Sequence, residues 1–98
     1  MSTPSGDDAR PPTHLVELFG VPRLLAGASV RAAGSTLGEI ATDLLRAAPA
    51  LAGPVLDPEG GWPLRGYAFV VDERFSRDPG RRLEAGASVL LVSSVAGG

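Results

Sequence analysis

Four stretches of the chain alternate apolar with polar or small residues at the period of two that is typical of β-strands. They are residues 14–21, 29–33, 66–73 and 88–95, and a short fifth segment follows the third at 74–76. Pro22 ends the first strand because proline has no N–H for a sheet ladder. Gly27 supplies the turn into the second strand. This pattern predicts a sheet of four or five strands.

One stretch has the period of a helix instead. Thr36 and Glu39 have the spacing of a capping box, in which each side chain accepts a hydrogen bond from the other's backbone N–H. The apolar positions that follow form a single stripe: Leu37, Ile40, Ala41, Leu44, Leu45 and Ala48. Pro49 ends the helix. The stripe predicts a helix that covers a hydrophobic core.

The order of elements indicates the fold. Two strands, a helix, a long loop at 51–65 and three further strands fit a single domain of this length. We therefore predict an α+β protein with a β-grasp (ubiquitin-like) domain over 14–94, in which one helix packs across one face of a mixed four- to five-stranded sheet. The helix-facing residues of the sheet are Val16, Leu18, Val30, Tyr67, Phe69, Val71, Val89 and Leu91. Trp62 is interpreted as a lid on this core.

The other face of the sheet has no predicted helix to cover it. Its apolar residues are Leu15, Phe19, Val70, Leu90 and Val92. A contiguous exposed patch of this kind usually marks a partner surface. Phe19, Leu90 and Val92 are the predicted docking residues, and Arg23 is a candidate rim contact whose alternative is a solvated turn residue. The alternatives for the patch are cover by Trp62 and the long loop, or self-association.

Composition excludes several function classes. The net charge of −2 gives no support to a nucleic-acid partner. With no Cys, one His and no paired carboxylates in a plausible cleft, nothing suits nucleophilic or acid–base catalysis, so we expect a protein that is not an enzyme. His14 begins a strand and is not expected to bind a metal. No apolar run is long enough to span a membrane, and no signal pattern precedes the domain, so the expected location is cytoplasmic.

The two ends of the sequence differ in character. Residues 1–13 are rich in Ser, Pro, Gly and Asp and are predicted to be a disordered leader. Residues 95–98, Val95-Ala96-Gly97-Gly98, are predicted to be a flexible tail that could thread into a narrow active site, because glycine has no Cβ. The reactive group of this tail is the Gly98 carboxylate, whose pKa is roughly 3.5. The alternative is a frayed terminus without a role.

Several of these features together resemble the MoaD/ThiS family of ubiquitin-like sulfur carriers. They are Val16-Glu17-Leu18-Phe19, Thr36-Leu37-Gly38, Leu83-x-x-Gly86-x-x-Val89 and the final Gly97-Gly98. Within the family, the chain looks most like the CysO type, through Leu56-Asp57, Arg74-Phe75-Ser76 and the Val95-Ala96-Gly97-Gly98 end. Two departures are Ser93-Ser94, where the molybdopterin type more often has Pro-Pro, and Ala87, where Asp is common.

The resemblance implies a carrier mechanism. An E1-like adenylyltransferase activates the Gly98 carboxylate with ATP, a sulfur donor converts it to a thiocarboxylate, and a synthase takes the sulfur. The carrier itself binds no cofactor. Cysteine, molybdopterin, thiamine and secondary-metabolite biosynthesis remain open as destinations. The competing hypotheses are a ubiquitin-like modifier conjugated through Gly98, and a β-grasp binding module whose Gly-Gly end is incidental.

Overall fold

The computed structural model describes residues 11–93. Its strands are β1 (Thr13–Leu18), β2 (Ser29–Ala33), β3 (Tyr67–Val71), β4 (Arg74–Ser76) and β5 (Val89–Ser93). Its helices are α1 (Val21–Ala26) and α2 (Leu37–Ala47), and a 3₁₀ turn at Pro49–Leu51 follows α2. Residues 1–10 of the predicted leader (residues 1–13) lie outside the described residues. In the remaining part, Thr13 already pairs with Ala33 in the sheet.

The five strands form one mixed sheet in the order β2-β1-β5-β3-β4. β1 and β5 are parallel, whereas the other neighbouring pairs are antiparallel. Helix α2 packs across one face of this sheet through Leu37, Ile40 and Leu44, which are fully buried. The architecture confirms the predicted ubiquitin-like β-grasp fold.

The register of the strands explains the core. Val30, Val16, Val89 and Val71 form one continuous row across four strands, and Leu18, Leu91 and Phe69 form the next. Paired residues share a face of the sheet, so alternation along each strand sends these side chains towards α2. The Trp62 ring lies 5.6 Å from the Phe69 ring and packs against the core, which confirms its role as a lid.

The N-terminus of α2 departs slightly from the predicted capping box. Thr36 is the N-cap, and its Oγ1 accepts a hydrogen bond from the Glu39 N–H at 3.2 Å. The Glu39 carboxylate, however, accepts from the N–H of Ser35 at 2.6 Å rather than from that of Thr36. An antiparallel bridge between Thr36 and Arg82 fixes the start of the helix against the segment that crosses it: the N–H of Leu37 donates to the carbonyl of Arg81, and the N–H of Leu83 donates to that of Ser35, both at 2.9 Å.

The structure corrects the predicted end of the first strand. β1 stops at Leu18, and residues 21–26 form helix α1 where a strand end and a turn were expected. Gly20 adopts a φ of 73° and turns the chain, and Pro22 lies in the first turn of α1. A proline there loses nothing by lacking an N–H, since the first N–H groups of a helix have no intrahelical partner. Neither described helix is long and apolar enough to cross a membrane.

Candidate functional site

The last strand brings the chain to the middle of the sheet. β5 lies between β1 and β3, so both of its edges are hydrogen-bonded. Ser93, its final residue, pairs with Tyr67 of β3. The predicted site residues Val95, Ala96, Gly97 and Gly98 lie outside the described part of the chain. The root of the proposed tail is therefore held at Ser93 by the centre of the fold.

The turn after β1 lies directly against this root. A Cβ placed on Gly20 would be 2.7 Å from Ser93 Oγ and 3.4 Å from Ser93 Cβ. The N–H of Phe19 donates to the carbonyl of Leu91 at 3.0 Å, which continues the pairing of β1 with β5 up to this turn. The segment from Phe19 to the start of α1 is thus packed beside the end of β5.

The face of the sheet opposite α2 forms a partly apolar surface. One register row crosses all five strands: Ser29, Glu17, Leu90, Val70 and Phe75. Phe75 is 67% exposed and Phe19 is 42% exposed, while Leu90 and Val92 are half-buried. Trp62 packs on the core side, so it does not cover this surface. The predicted patch is therefore open, with Glu17 as a charged residue within it.

Helix α1 adds a second apolar surface that the pattern analysis missed. Pro22 is buried and Ala26 packs against the core, so these two residues define the inward side. Val21, Leu24 and Leu25, which have the i, i+3, i+4 spacing of one helical face, point outward, and Leu24 is 85% exposed. Arg23 is also exposed on this helix, as expected of a rim residue or a solvated one.

The charged groups with defined partners lie elsewhere. Within residues 11–93, the ion pairs are Arg46–Asp43 at 2.8 Å and Arg81–Asp72 at 3.7 Å. Hydrogen bonding from the Arg46 guanidinium, together with the N–H of Ala33, lowers the pKa of Asp43, against an opposing effect of partial burial. Asp43 belongs to α2, so this network stabilises the helix-covered side of the sheet.

The described residues offer no metal centre. No group of three or more His, Cys, Asp or Glu residues within the described range could hold a metal ion. His14 is only 4% exposed and lies on the core side of β1, where its Nε2 has no hydrogen-bond partner in the described structure. We interpret this side chain as part of the core.

Two of the missed surface features, helix α1 and Phe75, had signals in the sequence. Pro22 followed by Gly27 has the arrangement of a proline just inside a helix start and a glycine just past its end. That arrangement could have identified α1 and its exposed leucines. Phe75 had the weaker signal of an aromatic residue in a three-residue edge strand. Its exposure depends on strand order, which the sequence pattern does not specify.

Comparisons with solved structures bear on the class of this protein. The crystal structure of SAMP1 from Haloferax volcanii aligns with a TM-score of 0.73 and 24% identity, over 89% of this chain and 100% of that one. The solution structure of the small archaeal modifier protein 1 (SAMP1) from Methanosarcina acetivorans aligns with a TM-score of 0.74 and 16% identity, over 90% and 98%. The chain is thus a ubiquitin-like β-grasp protein.

A third similar structure is that of the Haloferax volcanii HVO 2177 protein, with a TM-score of 0.66 and 22% identity over 88% of this chain and 86% of that one. The sequence matches no protein-family model and has no match among curated proteins. The similarity to these archaeal proteins therefore establishes the fold, and function has to be argued from the site.

Proposed function

We propose that this protein is a sulfur carrier of the MoaD/ThiS kind, a protein co-substrate whose working group is the carboxylate of Gly98. The observation that carries the proposal is the position of β5. It is paired on both edges, ends at Ser93 beside exposed apolar surface, and is followed in the sequence by five residues that finish with Gly97-Gly98. A folded domain with a docking surface, followed by a Gly97-Gly98 terminus without side chains that carries the reactive carboxylate, has the parts that a group carrier requires.

The proposed chemistry balances in two steps. A carboxylate oxygen of Gly98 attacks the α-phosphorus of ATP, forming an acyl adenylate and releasing pyrophosphate. A hydrosulfide equivalent then attacks the acyl carbon, forming a carbon–sulfur bond and releasing AMP. The product is a C-terminal thiocarboxylate, whose sulfur a synthase later uses. The E1-like adenylyltransferase and the synthase supply the catalytic groups, and ATP binds to the former.

The folded body contributes recognition. Phe19, Leu90 and Val92 lie on the open face nearest the end of β5, so we assign them to docking, with Arg23 at the rim. Apolar anchors surrounded by polar groups commonly supply most of the binding energy of an interface. Since activation and sulfur transfer both use soluble metabolites, we place the carrier in the cytoplasm with its partners. The CysO-like features favour cysteine biosynthesis as the destination of the sulfur.

The test is to incubate the purified protein with a ubiquitin-E1-related adenylating enzyme from the same cells, ATP and sulfide, and to measure its intact mass. The expected result is a mass gain equal to the replacement of one oxygen by sulfur. The matched control is the chain without Gly98, which should fold normally and gain no mass. An unchanged mass for the full chain, with an enzyme shown to be active on another carrier, would contradict the proposal.

A second candidate function is protein modification. The similar solution structure from Methanosarcina acetivorans is named as that of a small archaeal modifier protein, and a modifier would use the same activated Gly98. The chain itself has no Lys, so it could join to target lysines but could not form side-chain-linked polymers of itself. Adducts to lysines of other proteins in cells, dependent on Gly98, would support this function in addition to sulfur transfer.

A further inference from the structure

We propose that the outward face of α1, formed by Val21, Leu24 and Leu25, is the contact by which the activating enzyme grips this carrier. This inference rests on the proposed function, because it names the partner of the tail. The partner surface that contacts this face is an apolar groove of the adenylating enzyme, beside the channel that receives Gly98.

The first argument is the orientation of α1. A six-residue helix is marginal by itself in water, so packing of its inward side, Pro22 and Ala26, determines how it lies. That packing leaves Leu24 85% exposed, with Val21 and Leu25 at 40% and 39%. Most short surface helices present polar residues to water. Leu24 in particular buries little of its side chain against the fold, so a partner is the better explanation for its exposure.

The second argument is continuity with the sheet face. Phe19 immediately precedes the turn into α1 and is 42% exposed. Its backbone N–H donates to the carbonyl of Leu91 in β5, so it stands between the open face of the sheet and the first residue of α1 along the chain. The two apolar surfaces are therefore neighbours beside the end of β5.

The third argument is the reach of the tail. Five residues follow Ser93, and a fully extended chain spans at most about 3.4 Å per residue, so the Gly98 carboxylate lies within about 17 Å of Ser93. Gly20, at the start of α1, lies against Ser93. An enzyme that holds the carboxylate in an enclosed active site therefore comes close to the end of β5, and α1 begins beside that end.

A second copy of this chain is the competing occupant. Self-association through α1 would cover the same area and hinder access to the end of β5, which conflicts with a terminus that has to enter another protein. The two partners predict different effects of a polar substitution on α1. If the adenylating enzyme binds there, the kinetics of activation change; if a second copy binds there, the oligomeric state changes.

The experiment compares Leu24→Gln with the control variant Ala85→Gln. Ala85 is also an exposed apolar residue, but it lies in the turn before β5, at the opposite end of that strand from Ser93. Glutamine is tolerated in helices, and thermal melts of both variants confirm folding. The measurement is pyrophosphate release by the adenylating enzyme as a function of carrier concentration, with sedimentation of each carrier alone.

We expect Leu24→Gln to raise KM about tenfold with kcat within about twofold, because the contact is retained from ground state to transition state. We expect Ala85→Gln to leave both unchanged. Equal KM values for Leu24→Gln and the wild type would overturn the inference, as would conversion of a wild-type dimer to a monomer by Leu24→Gln. If the wild type releases no pyrophosphate at all, the proposed function fails instead. The two failures are therefore distinguishable.

Discussion

Gly20 and Ser93 are packed so closely that a single methyl group on the glycine would lie 2.7 Å from the serine Oγ. Gly20 also adopts φ 73° and ψ −137°, a conformation that residues with a side chain rarely enter. The end of the last strand is thus fixed by the turn that leads into α1. For a carrier, this contact determines the point from which the tail leaves the body.

We expect Gly20→Ala to destabilise the protein by about 1–3 kcal/mol through backbone strain, and to shift the end of β5. Adding Ser93→Gly to Gly20→Ala should remove the steric part of this cost and leave only the backbone strain. Urea denaturation of the wild type, the two single variants and the double variant measures the coupling free energy between the two residues. Strictly additive effects would mean that the two residues do not contact each other as described.

The long loop depends on an equally close approach, between Gly61 and α2. Gly61 has φ 88°, and a Cβ there would overlap the carbonyl oxygen of Ala41. Gly60, the neighbouring residue, has φ 105° and open space around it, and its carbonyl accepts a hydrogen bond from Thr42 Oγ1 at 2.7 Å. The loop is therefore docked on the helix through two adjacent glycines with different steric environments.

Gly61→Ala should cost about 3 kcal/mol or more, since it combines strain with overlap against backbone atoms that cannot move aside. Gly60→Ala is the matched control and should cost only the strain, about 1–2 kcal/mol. Thermal or urea denaturation of both variants shows whether Gly61→Ala loses more stability than Gly60→Ala. Equal losses would show that the loop can withdraw from α2 at little cost.

At His14 we predict a substitution that stabilises the protein, in contrast to the glycine substitutions above. It is 4% exposed, and its Nε2 lacks a partner in the described structure. A buried polar atom without a hydrogen bond costs about 1–3 kcal/mol. His14→Met, which has similar volume and a flexible side chain, should therefore stabilise the protein by about 1 kcal/mol. A lower urea midpoint for this variant would indicate that the imidazole makes a compensating interaction.

The Asp43–Arg46 pair sets a pH dependence. The pKa of Asp43 is lowered in the folded state, chiefly by hydrogen bonding from Arg46. Its stabilising contribution is therefore fully present above the unfolded pKa of about 3.9 and is lost as the pH falls through the lower folded value. Asp43→Asn should reduce stability at neutral pH by about 1 kcal/mol.

The same variant should reduce the fall in stability between about pH 5 and pH 2, because it no longer takes up a proton on unfolding. Urea denaturation across that range checks both parts. Arg46→Gln serves as the control, since it keeps the hydrogen bond from the Ala33 N–H to Asp43, which measures 2.8 Å. An acid slope unchanged in Asp43→Asn would contradict the assignment.

The sequence predicted those elements whose signals are local. The stripe from Leu37 to Leu44 and the cap at Thr36 located α2 correctly, because capping and periodicity act within a few residues. The alternation from Tyr67 to Val71 located β3 for the same reason. Gly86 has a positive φ of 83° in the turn before β5, a conformation that glycine adopts without strain.

What the sequence did not predict depends on contacts between distant residues. Helix α1 had a local signal in Pro22 and Gly27, but which of its sides faces inward depends on packing against distant parts of the chain. The contact of Gly20 with Ser93 joins positions that are far apart in the chain, and it arises only because β1 and β5 are parallel neighbours. The docking surface beside the tail was therefore predicted only in part, through Phe19, Leu90 and Val92.

The central claim is that the Gly98 carboxylate is the group that carries sulfur. The chain has no Cys, so a thiol-alkylating reagent has no side-chain thiol to label. After incubation with the adenylating enzyme, ATP and sulfide, we predict that such a reagent labels the protein once, and that fragmentation of the peptide after Arg82 places the label on Gly98. Absence of labelling, or a label at any other residue, would contradict this account.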